Sequence, residues 1–286
     1  MPKPVTIAVV SPGAMGSALG RVWAAAGARV IATVAGRSPR TRELAFGLEL
    51  LPTLDDVLLQ ADLVCSVVPP GRATAVAELV AEHTHRLGVS PGYADLNAIA
   101  PSTVAEIESV LGRPPLDGAI SGGPPAPGGG TTLYLAGPQP ERLAALTAPG
   151  LRTVVVGSRP GLASVVKMST ASVYKGLTAL LAQALQSAEH YGVTDYVVAD
   201  LQPEFPDQIR QLPALLALAA SKSDRFPDEM RQIAQAQGEA GAEAELFQAM
   251  AGVYEAVHRS RLARLTPEQA RQPGELAAVL AALADR

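Results

Sequence analysis

Ser11, Gly13 and Gly16 are spaced to hold a phosphate. They punctuate residues 5–20, VTIAVVSPGAMGSALG, where a short apolar run ends in a glycine turn and continues as a helical pattern. A parallel strand hands a pyrophosphate to a helix N-terminus in this way. The first backbone N–H groups of the helix lack intrahelical partners, and the helix dipole favours an anion there. The dinucleotide fingerprint is Gly-x-Gly-x-x-Gly, and here Ser11 stands at its first position. Gly13 lets backbone approach the pyrophosphate, and Gly16 lets the helix pack close to the strand.

The end of the next strand chooses the cofactor. NAD sites place Asp or Glu about 20 residues past the glycines to accept from the ribose 2′-hydroxyl. No acidic residue lies between Arg29 and Arg42. The loop reads Gly36-Arg37-Ser38-Pro39-Arg40-Thr41 instead. The guanidinium of Arg37 and the hydroxyl of Ser38 suit a 2′-phosphate, so the expected cofactor is NADP, with NAD disfavoured.

Two further stretches carry polar groups that could meet a substrate. In the loop from Asp117 to Gly123, the hydroxyl of Ser121 and the amides of Ser121, Gly122 and Gly123 could grip a carboxylate. Lys167 lies in VVKMSTASVYKG, with Thr170, Ala171 and Tyr174 at i+3, i+4 and i+7 on its helix face. Lys175 is rotated from Lys167 by about 80° on an ideal helix. The four histidines are scattered, and His83 and His85, two apart, point in different directions. No cluster has metal-ligand spacing, so no metal is expected.

These groups need a scaffold, and the patterning supplies one. Strands are expected over 5–10, 29–34, 63–68, 93–96, 116–120, 133–136 and 153–156. Helices are expected over 14–26, 40–46, 53–60, 73–87 and 103–110. The alternation predicts an α/β, Rossmann-type doubly wound sheet with an irregular distal edge. After Gly157 the pattern turns helical. A proline-free run over 162–191, about 45 Å long if continuous, leads into Ala- and Leu-rich segments punctuated by prolines. The expected domains are a dinucleotide-binding domain over 1–160 and an all-helical substrate and dimerisation domain over 161–286.

Composition narrows the class. The 286 residues are 48% hydrophobic but only 4% aromatic, so Ala, Leu and Val must fill the core. A net charge of −4 without a basic block argues against nucleic acid or an anionic membrane as partner. The one cysteine, Cys65, sits in an apolar run and reads as a buried thiol. MPKPVTI lacks a signal-peptide pattern, and no apolar run reaches the ~18 residues of a membrane span. The expectation is a soluble cytoplasmic protein.

In this order the motifs resemble the β-hydroxyacid dehydrogenase superfamily, which includes 3-hydroxyisobutyrate and 6-phosphogluconate dehydrogenases. The glycine turn ending in Met-Gly is matched by Gly13-Ala14-Met15-Gly16, and the strand ending in proline by VCSVVPP at 64–70. The Asp-x-Ser/Asn and Pro-Ser/Thr stretch is matched by residues 95–103, DLNAIAPST. The substrate loop is matched by Ser121-Gly122-Gly123, and the catalytic lysine by Lys167. The likeness spans residues 5 to about 190 and is nearest to a phosphogluconate-dehydrogenase-like subgroup. Beyond it, residues 225–230, RFPDEM, carry Glu-Met where the family has Lys-Asp.

The resemblance implies an oxidoreductase moving hydride between a nicotinamide and a small hydroxyacid or ketoacid. It assigns cofactor contacts to Ser11, Pro12, Gly13, Ala14, Met15, Gly16, Arg37, Ser38, Val68, Pro69 and Asn97. Substrate contacts fall to Ser121, Gly122, Gly123, Asn97, Thr170 and Tyr174. Lys167 would take the hydroxyl proton, its pKa brought down from about 10.4 by desolvation. Many relatives carry Asn four residues after the lysine, where this chain has Ala171. A homodimer through the helical half is implied. Two other readings stay open. One is a reductase of C=N bonds on the same architecture, with Tyr174 in place of the lysine. The other is an NADP-binding sensor without catalysis.

Overall fold

The computed structural model describes residues 4–285. β1 (Thr6–Val10) is buried at every position, as an apolar strand covered on both faces must be. Its side chains alternate between two cores. Ile7 and Val9 pack with Leu19 and Trp23 of α1 (Ala14–Ala25). Ala8 and Val10 face the opposite side, with Val76 and Val80 and with Val104 and Ile107. The period-two alternation of a strand is therefore read out as two helical layers around one sheet.

The remaining elements of this half are β2 (Arg29–Ala32), α2 (Pro39–Leu44), β3 (Glu49–Leu50), α3 (Leu54–Leu58), β4 (Leu63–Ser66), α4 (Ala73–Leu87), β5 (Gly92–Asp95), α5 (Pro101–Leu111), β6 (Leu116–Ser121), β7 (Thr131–Ala136), α6 (Glu141–Ala144) and β8 (Leu151–Gly157). The eight strands run in the order β3-β2-β1-β4-β5-β6-β7-β8. All neighbours are parallel except β6 and β7, which are antiparallel. The order reverses at β1, which lies between β2 and β4. In a doubly wound sheet this switch point opens a crevice at the carboxyl ends of the strands, where ligands bind. The expected irregular distal edge is the β6–β7–β8 extension.

Local physics sets where elements stop. The pattern predicts a strand as far as residue 68, but β4 ends at Ser66. The Val68 N–H leaves the ladder to donate to the Asn97 side chain at 2.6 Å. The strand predicted over 29–34 ends at Ala32, after which the Thr33 hydroxyl accepts from the Ala35 N–H at 3.3 Å. α3 begins with a reciprocal capping box between Thr53 and Asp56. Two-residue β3 is too short for periodicity to announce.

α7 (Leu162–His190) realises the long helix in one piece. The chain resolves into two compact units, Met1–Met168 and Ser169–Arg286, so the division falls within α7, eight residues beyond the boundary expected after residue 160. The second unit continues with α8 (Thr194–Leu201), α9 (Pro206–Arg210), α10 (Leu212–Ala220), α11 (Phe226–Glu239), α12 (Glu245–His258) and α13 (Leu276–Ala284). Its core joins Leu181 and Leu185 with Leu212, Leu216, Val257 and Leu280. Among the described residues no helix is long and apolar enough to cross a membrane.

Candidate active site

The glycine turn has the shape its sequence promises. Ser11 adopts φ 64°, in the left-handed region where glycine is the usual occupant. That is the strain accepted for serine at the first fingerprint position, and the Ser11 carbonyl accepts from the Gly13 N–H at 2.8 Å. Gly13 caps α1 with no side-chain acceptor, leaving the first N–H groups of the helix for a ligand. A Cβ on Gly13 would meet nothing within 4 Å. A Cβ on Gly16 would lie 3.0 Å from the Ser11 carbonyl oxygen and 3.1 Å from Val9. The two glycines thus do different work. Gly16 lets α1 approach β1, and Gly13 keeps an open concavity over the helix end. The Ser17 hydroxyl braces the turn by donating to the Pro12 carbonyl at 2.5 Å. Ala14 and Met15 form the first turn of α1.

Arg37 and Ser38 lie beyond the carboxyl end of β2, on the same sheet edge as this turn because β1 and β2 are parallel neighbours. Both are exposed. The Ser38 hydroxyl accepts from the Thr41 N–H at 3.2 Å, so it caps α2. The end of α1, the glycine turn and the basic loop after β2 are groups that could hold a dinucleotide.

Asn97 is 3% exposed and tied to protein on both sides of its amide. Its Oδ1 accepts from Val68 N, and its Nδ2 donates to Ser66 Oγ at 3.0 Å and Asp95 Oδ2 at 2.8 Å. Its backbone N–H donates to Asp95 Oδ1 at 3.0 Å. Asn97 therefore clamps the carboxyl ends of β4 and β5 together and fixes the Val68-Pro69 turn. Burial pushes the Asp95 carboxyl up to about 7, against the pull of the two Asn97 donors.

Asp117, at the head of the polar loop, has a role that its local sequence does not announce. Its carboxylate is 1% exposed and accepts from the backbone of Gly161 at 2.9 Å, Ala163 at 2.8 Å and Ser164 at 3.1 Å. The Ser164 hydroxyl adds a fourth bond at 2.7 Å. A strand carboxylate thereby satisfies the orphan N–H groups that open α7, where helix dipole and negative charge also attract. Asp117, Ala119 and Ser121 share one face of β6. Ala119 packs against Ala163 of α7. Lys167 lies one turn beyond Ala163 on the same face of the helix and is half-buried.

Ser121 ends β6, paired with Thr132, and is half-buried. Gly122 has φ 108°, and a Cβ there would sit 3.1 Å from the Gly130 carbonyl oxygen. A Cβ on Gly123 would meet nothing within 4 Å, and the Gly123 carbonyl accepts from the Thr131 hydroxyl at 2.7 Å. The loop is thus held at both ends.

Thr170, Ala171 and Tyr174 belong to the second unit: Thr170 is half-buried, Ala171 buried and Tyr174 69% exposed. Lys175 forms an ion pair with the buried Glu229 of α11, and its ammonium stands 4.7 Å from the centre of the Phe226 ring. That pairing commits Lys175 to the helical core. It also gives the buried Glu229 its cationic partner. His83 bonds to Asp55 at 2.6 Å, and Arg86 bonds the same carboxylate at 2.7 Å, a surface cluster apart from the site. Among the described residues no group of acidic, His and Cys side chains could hold a metal.

Known proteins resemble this chain in sequence or in fold. A family model described as domain of unknown function DUF1932 matches residues 188–257. A Methanothermus fervidus protein, described as a 28.5 kDa protein in the 7S RNA 5′ region, is 27% identical over 172 residues. The match covers 59% of this chain and 65% of that protein, so this chain spans less than two thirds of that relative's length. A solved structure of a conserved protein described as structurally similar to 3-hydroxyacid dehydrogenases aligns at TM-score 0.64 and 25% identity, over 88% of this chain and 96% of its own. The Mycobacterium tuberculosis 3-hydroxyisobutyrate dehydrogenase with L-serine aligns at TM-score 0.63 and 16% identity, over 95% and 99%. A reductive aminase from Aspergillus terreus, in complex with NADPH, aligns at TM-score 0.54 and 18% identity, over 90% and 94%. In fold this chain is of the β-hydroxyacid dehydrogenase-like type.

Proposed function

We propose that this chain is an NADP-dependent oxidoreductase that interconverts a small hydroxyacid and its ketoacid, with Lys167 as the proton-transfer group. One observation carries the reading. Asp117 anchors the first turn of α7 to the strand that ends in Ser121, so Lys167 and the Ser121-Gly122-Gly123 loop are held by one rigid connection.

The nicotinamide, when bound, supplies hydride donation and acceptance at carbon. Everything else falls to the chain. The Gly13 concavity and the open end of α1 bind the pyrophosphate, and Arg37 with Ser38 binds the 2′-phosphate. Asn97 acts through Val68 and Pro69, whose turn it shapes. Ser121 and the amides of Gly122 and Gly123 hold the substrate carboxylate. Lys167 receives the hydroxyl proton in oxidation and returns it in reduction. Thr170 and Tyr174 offer hydroxyls further along α7, where Ala171 offers none. The exposed Val173, Tyr174 and Leu180 of α7 support a second copy of the chain as partner.

A panel of hydroxyacids, ketoacids and cyclic imines, each with NADPH and NADH, tests the reading. Turnover of an acid pair with NADPH is expected. Turnover of cyclic imines alone would favour C=N reduction, as the likeness to reductive aminases allows. Tight NADPH binding without any turnover would favour a sensor.

A further inference from the structure

A cavity lies at the opposite edge of the sheet from the glycine turn. It is an open cleft of about 570 Å³, and a second of about 220 Å³ adjoins it. Gly92, Arg113, Gln139 and Arg142 line both. Topology explains the gathering. Arg113 precedes β6 and Gly92 opens β5, while Gln139 and Arg142 follow β7, which runs antiparallel to β6 and ends at the edge where the others begin.

Both arginines are cations without an acidic partner among the described residues. Arg113 donates to the Ser90 hydroxyl at 3.1 Å and to the Pro91 carbonyl. Arg142 donates to the Asp62 carbonyl at 3.0 Å. The nearest acid in the lining, Asp62, turns its carboxylate to the Thr6 N–H at 2.8 Å. Burial lowers the Arg113 pKa with no charge to offset it. A guanidinium carries five donors, so each keeps several for a ligand after these backbone bonds. Gln139 holds φ 53°, a left-handed backbone rarely adopted by glutamine, on the wall shared by the two cavities.

We propose that this cavity is a second ligand site, binding a phosphate-class dianion between Arg113 and Arg142. Two planar forks from separate loops present more donors than one carboxylate accepts, and a tetrahedral oxyanion offers acceptor oxygens in several directions. The site is remote from the proposed chemistry and does not depend on it.

The test is an NMR titration of the full chain with inorganic phosphate in an amine buffer, ionic strength held constant with sodium chloride. Phenyl phosphate serves as the second arm. Saturable shifts of the Gly92 and Gln139 amides are expected, with affinity falling at least tenfold in Arg142→Gln. Arg142→Lys keeps the charge and is expected to bind with intermediate affinity, which guards against a misfolded Arg142→Gln. Stronger binding of phenyl phosphate would identify a monoester as the ligand, and stronger binding of the free ion would identify inorganic phosphate. Shifts confined to residues 11–17, shifts insensitive to Arg142→Gln, or no saturable shift would overturn the proposal.

Discussion

Asp95 and Asp117 are in-register neighbours on β5 and β6, and each gives its carboxylate to a different part of the candidate site. Asp95 holds Asn97 by two bonds. Asp117 holds the opening of α7 by four. The carboxyl ends of β4 and β5 and the opening of α7 are therefore set by adjacent residues of one sheet. Their proximity has a cost, because the charge of Asp117 adds to the burial that raises Asp95.

Removing the Asp117 carboxylate strands three backbone N–H groups and the Ser164 hydroxyl. Asp117→Ala should lower stability by about 2–4 kcal/mol, as for a lost cap compounded by buried unsatisfied donors. Urea denaturation checks this. In Asp117→Asn, kcat is expected to fall while the Kd for NADPH stays within about twofold, since the glycine turn is untouched.

Asp95 predicts a pH dependence of stability. Its folded pKa, about 7, stands above the ordinary 3.8, so the folded chain binds the proton more tightly than the unfolded one. The stabilisation is complete below pH 3.8 and is lost as pH rises through about 7. Denaturation midpoints at pH 5 and pH 8 should differ in that direction from this residue. The difference should shrink in Asp95→Asn.

The two glycines of the turn separate binding from folding. Gly16→Ala forces a Cβ to 3.0 Å from a carbonyl oxygen and should cost about 1–3 kcal/mol of stability. Gly13→Ala meets no atom of the chain and should leave stability within about 1 kcal/mol. Its NADPH affinity should nonetheless fall at least tenfold, because the added methyl occupies the concavity. Calorimetric titration alongside thermal melts distinguishes the two.

Discrimination between cofactors should reside in the loop after β2. Arg37→Ala is expected to raise the KM for NADPH about tenfold, one charge-assisted contact, and to leave the KM for NADH unchanged. Ser38→Ala should additionally cost about 1 kcal/mol through its cap on α2.

Much of this was legible in the chain. The turn at 11–16, the strand cores and the long helix are local patterns, written in spacings of two to four residues. The Asp117 cap spans 44 to 47 residues and the Asn97 clamp 29 to 31, and no periodicity signals a bond of that range. Asp117 was visible as part of a polar loop, but its role follows only from the fold that brings residue 161 to it. Asn97 was expected to meet cofactor and substrate, whereas its side chain bonds protein groups on both sides of its amide. Glu229 read as a departure from the family, and the Lys175 ion pair gives the departure a structural partner.

The central claim is that Lys167 moves the proton. It is tested most directly by single-turnover hydride transfer with NADPH across pH, comparing wild type with Lys167→Met and Lys167→Arg. The account predicts a rate about 100- to 10,000-fold lower in Lys167→Met, with NADPH affinity unchanged and a pH profile that differs from wild type. Transfer at the wild-type rate in Lys167→Met, with the same pH profile, would contradict it.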